Sequence, residues 1–126
     1  MRRRWILPLT LALTAAACGG NPLRDAEAAM ATKNIPAAED ALNAVLKAHP
    51  DFKAGHMERF VLYRYQAVQG DTAVQDAYRK KSLDEYTWLV QAYQLTEDYG
   101  NMESSMNSKP AAAADFAASH QALYGN

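Results

Sequence analysis

Few side chains in this sequence have both the type and the spacing for bond-making chemistry. There is one cysteine, Cys18, and there are three histidines, His49, His56 and His120. A metal site needs several converging ligands, and no His-x-x-x-His pair or other close spacing supplies them, so no metal is expected. His49 precedes Pro50 and belongs on the surface at a helix end, where it meets the negative pole of the helix dipole. His56 and His120 read as ordinary, partly buried histidines. No Gly-rich phosphate loop occurs. No nucleophile has an identifiable base and orienting group, so no catalytic residue is expected and the chain is read as non-enzymatic.

What the sequence offers instead is contact chemistry. Aromatic residues crowd the stretch from Phe52 to Tyr99. Phe60, Tyr65, Tyr86 and Tyr93 fall at helical core spacing. Tyr63, Trp88 and Tyr99 fall out of that phase. They are candidates to line a groove, because Tyr and Trp cover large areas while keeping a polar tip; core packing is the alternative. Arg79, Lys80 and Lys81 form a basic run that either ends a solvated helix or meets an acidic partner or lipid headgroups. These six residues are the candidate partner-binding set.

The elements that place these groups begin with the amino terminus. Arg2, Arg3 and Arg4 precede an apolar run, Trp5 to Ala17, that closes in small residues. This is the pattern of a secretory signal, and it is shorter than the roughly 20 residues of a spanning helix. Ala15-Ala16-Ala17-Cys18 resembles the lipobox of bacterial lipoproteins, with Ala15 standing where that family usually has Leu. The resemblance implies diacylglycerol on the Cys18 sulfur, cleavage before Cys18 and an acyl chain such as palmitate on the new amino group. These covalent lipids are the only prosthetic groups expected. An ordinary signal peptide cut after Ala17, leaving an incidental cysteine, is the alternative. Several acyl chains, at about 0.8 kcal/mol per buried CH₂, make a stable anchor. Gly19 is not the Asp that retains many such proteins in the inner membrane, so the resemblance implies the outer membrane, facing the periplasm, in a cell with two membranes.

The expected organisation is therefore a signal over residues 1–17, an acylated cysteine and short linker over 18–21, and one domain over 22–126. Removing 17 of the 126 residues leaves 109, a common domain size. Arg2, Arg3 and Arg4 leave with the signal, so 10 of the 13 basic residues remain against 14 acidic ones, a net charge near −4. A nucleic-acid binder needs a basic face, so that class is excluded. A lone cysteine allows no internal disulfide.

The domain reads as all-α, with five or six helices. Asn21-Pro22 is expected to open the first, with Asn21 as cap and Pro22 at the first helical position. Asn34-Ile35-Pro36 repeats the signal, and Pro50 ends the second helix. A third is expected from Asp51, as cap, to Val68, with apolar residues on two sides and Gly55 at a tight contact. After a turn at Gln69 to Thr72, Thr72-Ala-Val-Gln75 and Ser82-Leu-Asp-Glu85 both read as capping boxes. A break is expected near Ser82 and a following helix to Tyr99, closed by Gly100; one continuous helix is the alternative, since Val74, Tyr78, Ser82, Tyr86, Leu89 and Tyr93 keep one phase. Residues 101–109 read as a loop, and Pro110 to Tyr124 as a last helix ended by Gly125.

The run from Asn34 to Phe52 resembles the second helix of a tetratricopeptide repeat, through Ala38, Leu42, Val45 and the helix-ending Pro50. Gly70-Asp71 adds to the likeness, although Asp71 lies 37 residues after Asn34 against a repeat of about 34. The preceding helix lacks the family's Trp, Leu-Gly and Tyr. The resemblance implies a short antiparallel array of helix pairs with a concave, peptide-binding face. Combined with the lipobox, it points to a membrane-anchored scaffold or assembly factor that binds another envelope protein, one form being a pilot that escorts a secretin. The other class kept open is a small-ligand carrier or sensor with an aromatic pocket between helices.

Overall fold

The computed structural model describes residues 20–125; the expected signal stretch and Cys18 lie outside them. Among the described residues the chain is all-α, with six helices and no strands. They are α1 (Arg24–Ala31), α2 (Ile35–Ala48), α3 (Lys53–Gln66), α4 (Thr72–Tyr93), α5 (Met102–Asn107) and α6 (Pro110–Tyr124). Short turns fold α1 to α4 back and forth on their neighbours, and α6 returns to lie against α1 and α3.

α3 is the centre of this arrangement. It packs on α2, α4 and α6, and almost every side from Gly55 to Tyr63 is covered. Met57, Phe60 and Leu62 are fully buried, which accounts for the two apolar faces read in the sequence. Met30 of α1, Leu42 of α2, Tyr86 and Leu89 of α4, and Leu123 of α6 close the core around it. Gly55 leaves little room beside α2: a Cβ there would sit 3.0 Å from Leu46 Cδ2 and 3.1 Å from Phe52 Cδ2.

Several helix ends differ from expectation. Asn34 does cap α2, its Oδ1 accepting from the Ala37 N–H. Asn21 does not cap α1. Its Oδ1 accepts from Leu23 N–H at 2.9 Å, which forms a turn one step earlier, and the helix starts at Arg24. Asp51 is not the cap of α3, which begins at Lys53 after Phe52 with no side-chain cap. At α4 the cap is Asp71, whose Oδ1 accepts from Val74 N–H at 3.0 Å, so Thr72 is already inside the helix. Gly70, with φ +76°, makes the preceding turn, a backbone state that glycine reaches without strain.

α4 runs unbroken through Ser82. That residue is buried, and its Oγ donates to Arg79 O at 2.7 Å within the helix instead of capping a new one. Burial along α3 overrides the local capping pattern, because Ser82, Glu85, Tyr86, Leu89 and Tyr93 share one covered stripe. The helix then stops at Tyr93, six residues before the expected end. Gln94 takes the left-handed conformation, φ 61°, and Leu95 N–H turns back to Val90 O at 3.0 Å. Beyond this stop the Tyr86 hydroxyl donates to Thr96 O at 2.9 Å, and Tyr99 packs edge-on against the Tyr86 ring. Residues 102–107, expected as loop, form the short α5, because Ser105 and Met106 are buried there and Ser105 Oγ accepts from Thr96 N–H at 2.9 Å. α6 and its end at Gly125 agree with the sequence reading.

Candidate functional site: the cleft between α3 and α4

Helices α3 and α4 run antiparallel, so residues that descend α3 meet residues that climb α4. His56, Arg59 and Tyr63 stand at helical spacing on one flank of α3. Lys81, Glu85 and Trp88 stand at matching spacing on α4. Between them is an open cleft of about 310 Å³, which Asp84 also lines.

Glu85 organises its floor. The carboxylate is buried; Oε1 pairs with His56 Nδ1, and Oε2 accepts from Arg59 Nε at 2.8 Å. The other nitrogen of His56, Nε2, lies 2.6 Å from Pro50 O, an acceptor only, so Nε2 carries a proton. Neither ring nitrogen is left free. Arg59 Nη1 donates to Asn43 Oδ1 of α2 at 3.0 Å, which ties α2 to the same cluster.

Above this floor lie the rings. Trp88 stacks on His56 with centroids 3.6 Å apart. Tyr63 is flanked by two cations, Arg59 Cζ at 5.8 Å and Lys81 Nζ at 5.6 Å from its ring centre. Lys81 also sits 4.7 Å over Tyr78. Tyr78 donates its hydroxyl to Glu39 Oε1 at 3.0 Å, and Lys81 Nζ stands 3.8 Å from Glu39 Oε2. Burial pushes the Tyr63 hydroxyl up from its ordinary range. Burial and the Glu39 carboxylate do the same to Tyr78. The cleft can therefore recognise a partner group by stacking, by cation–π contact and by donated hydrogen bonds.

Of the six candidate residues, the structure brings Tyr63, Lys81 and Trp88 together in this cleft. Arg79 and Lys80 point elsewhere. Arg79 pairs with Asp76, and Lys80 faces Asp84 at 3.9 Å, both pairs well exposed. Tyr99 lies against Tyr86 and shares a hydrogen bond with Thr87 Oγ1 at 2.7 Å, away from the cleft. His56, Arg59 and Glu85 were not singled out as site residues. Two signals pointed to them: His56 and Arg59 are three apart on one helix face, and Glu85 falls on the apolar stripe beside Tyr86 and Leu89.

His49 is exposed at the end of α2, as expected. His120 is exposed, not partly buried, and stacks on Tyr124 with centroids 4.4 Å apart. With Phe116 it lines a second depression, of about 210 Å³, beside Val61 and Val68. No group of three metal-ligating side chains occurs among the described residues. No helix among them is long and apolar enough to cross a membrane.

One buried acid lies outside both depressions. Glu58, on the α1 side of α3, is fully covered, and its Oε1 has no hydrogen-bond partner among the described residues. Burial, with Glu27 beside it, pushes its carboxyl up to about 9, so it is neutral at pH 7.

Comparison with protein-family models, with curated proteins and with solved structures finds no match for this chain.

Proposed function

We propose that this chain is a lipid-anchored protein of the bacterial cell envelope whose helical domain binds another envelope protein. The observation that carries this reading is the convergence of Lys81 and Trp88 on one open cleft, with Tyr63, 7% exposed, in its wall. Tyr and Trp are among the residue types enriched at protein interfaces. The lipobox-like segment ending at Cys18 supports the anchor. Only Gly19 separates Cys18 from the first described residue, so acyl chains on that sulfur hold the domain against a bilayer and raise its effective concentration there. The likeness of Asn34–Phe52 to a tetratricopeptide helix supports peptide binding. Escort of a secretin to the outer membrane is one form this role takes.

Two measurements test the reading. Mass analysis of protein extracted from membranes should show diacylglycerol and acyl mass on Cys18; an unmodified chain refutes the anchor. Photocrosslinking probes at Tyr63 and Trp88 in living cells should trap one stoichiometric partner, whereas probes at Tyr99 should not. Recovery of none refutes the scaffold role.

A second reading, a small-ligand carrier, is favoured by the cleft's size, which falls at the low end of small-molecule sites. It calls for thermal stabilisation by a metabolite in the absence of any protein partner.

A further inference from the structure

His56 has two ring nitrogens, and each faces an oxygen. Nδ1 meets the carboxylate Oε1 of Glu85, and Nε2 lies 2.6 Å from Pro50 O. A neutral imidazole carries one N–H and one lone pair. It can serve one of these partners, and its lone pair then points at the oxygen of the other. Both contacts are satisfied only when one proton sits on Nε2 and another lies between Nδ1 and Oε1. The His56–Glu85 pair therefore holds one proton more than a neutral imidazole beside a free carboxylate.

The surroundings keep the two groups face to face. Both are buried, so little water is at hand to replace a lost partner. Glu85 Oε2 accepts from Arg59 Nε at 2.8 Å, and the guanidinium is tied in turn to Asn43, which fixes the carboxylate. Of the charges against the ring, Glu85 favours its protonated form and Arg59 opposes it. The other charged groups of this region face partners of their own. Lys81 faces Glu39, Asp84 faces Lys80, and Lys53, three residues before His56, lies 5.5 Å from the Tyr93 ring centre. α2 contributes the neutral Asn43, and the turn after it the Pro50 carbonyl. Over the imidazole lies Trp88, whose aromatic face favours a cation.

We propose that this proton is a latch on the cleft. With it in place, His56 bridges Pro50 to Glu85 and lies flat on the indole, which fixes Trp88 at the cleft mouth. As pH rises the proton leaves to solvent through the open cleft. The Nδ1 lone pair then faces Oε1, and the imidazole must move off Glu85 or off Pro50 O. Either movement disturbs the stack and frees the indole. Arg59 stays on Glu85, so α3 and α4 remain joined. The latch acts on the cleft whatever the cleft binds, and stands apart from the protein-binding reading above.

The test uses the full chain in detergent, carrying Trp5→Phe so that Trp88 is the only tryptophan. Nitrogen NMR of labelled histidine reads the ring directly, the His56 signals being those lost in His56→Gln. At pH 5 both His56 nitrogens are expected to be protonated, and at pH 9 only one. Trp88 emission is followed over the same range. An imidazolium in face contact quenches an indole more than the neutral ring does. Emission is therefore expected to rise by at least about 1.5-fold, in one step that coincides with the nitrogen titration. His56→Gln should abolish the step, and His120→Gln, outside the cleft, should leave it unchanged. Glu85→Gln, which no longer attracts the proton, should move the step down by at least about one pH unit. If either cleft variant fails to fold, the two measurements on the parent decide. One protonated nitrogen at pH 5, flat emission beside a titrating ring, a ring that does not titrate by pH 9, or a step that survives His56→Gln overturns the proposal. So does a step unmoved in a folded Glu85→Gln chain.

Discussion

The imidazole of His56 lies flat on the indole of Trp88, with ring centroids 3.6 Å apart and planes 20° from parallel. The stack joins α3 to α4 at the mouth of the cleft, and Glu85 and Pro50 O hold the imidazole from its two nitrogens. The indole is thus positioned by a polar cluster beneath it, which makes the cluster a pre-organising device for the binding face.

Glu85→Ala removes the acceptor shared by His56, which is buried, and Arg59, which is half-buried and keeps its bond to Asn43. A loss of about 3 kcal/mol in unfolding free energy is expected, since breaking one partner of a buried pair strands the other. Urea denaturation measures this. Trp88 emission should shift to the red in the same variant, as the His56 ring loses its anchor. An unchanged emission maximum would show that Trp88 is held independently of Glu85.

Stability should fall as pH rises, through Glu58. Its carboxyl stands at about 9 in the folded chain against an ordinary value of 4.5. Between those values the folded state holds a proton that the unfolded state has released. The contribution of Glu58 to stability is therefore full below pH 4.5 and declines up to pH 9. Glu58→Gln keeps the shape of the neutral acid and can donate to Glu27. It should be the more stable protein by about 3 kcal/mol at pH 7, one pKa unit being worth about 1.36 kcal/mol. The gap between variant and parent should be least near pH 4.5 and widen toward pH 9. Parallel pH curves for the two proteins would contradict this account.

Gln94 closes α4 in a left-handed conformation with φ 61°, a region where side chains other than glycine are strained. Gln94 is exposed, so little packing is lost on replacement. Gln94→Gly is expected to raise stability by about 0.5–1 kcal/mol, whereas Gln94→Val should lower it. Thermal unfolding of the two variants gives the comparison.

Gly55→Ala adds a methyl group 3.0 Å from Leu46 and 3.1 Å from Phe52. The gain in helix propensity is about 1 kcal/mol, and overpacking costs about 1–3 kcal/mol. A net loss of about 1 kcal/mol is expected by denaturation. Leu46→Ala in the same chain should restore room for the new methyl group, so the two substitutions together should cost less than the sum of each alone.

Much of the fold was legible in the residues. Apolar spacing, the Asn34 cap and the prolines at 36, 50 and 110 marked the helices, because these are local signals carried by a few neighbouring side chains. Where a local signal competed with burial, burial prevailed. Ser82 reads as a cap in isolation and lies inside α4, since the helix gains more from covering Tyr86 and Leu89 than from a new start. The early stop at Tyr93 and the short α5 accompany a contact of Tyr86 with Thr96, made across a turn that no spacing rule anticipates.

The candidate site divides in the same way. The amino-acid sequence alone determined the all-α class, the helix-forming faces and which aromatics, Tyr63 and Trp88 among them, stood off the main phase, although Tyr63 is buried, at 7% exposure, as the core-packing alternative expected. Only the tertiary structure decided that these two share a cleft with Lys81, that Arg79, Lys80 and Tyr99 do not, and that His56, Arg59 and Glu85 build its floor. The physical reason is that helical phase follows from residues three and four apart along one chain segment. The partners of a side chain across an interface are set by how two helices, 26 to 29 residues apart at the Glu85 cluster, are laid against each other by the packing of the whole core.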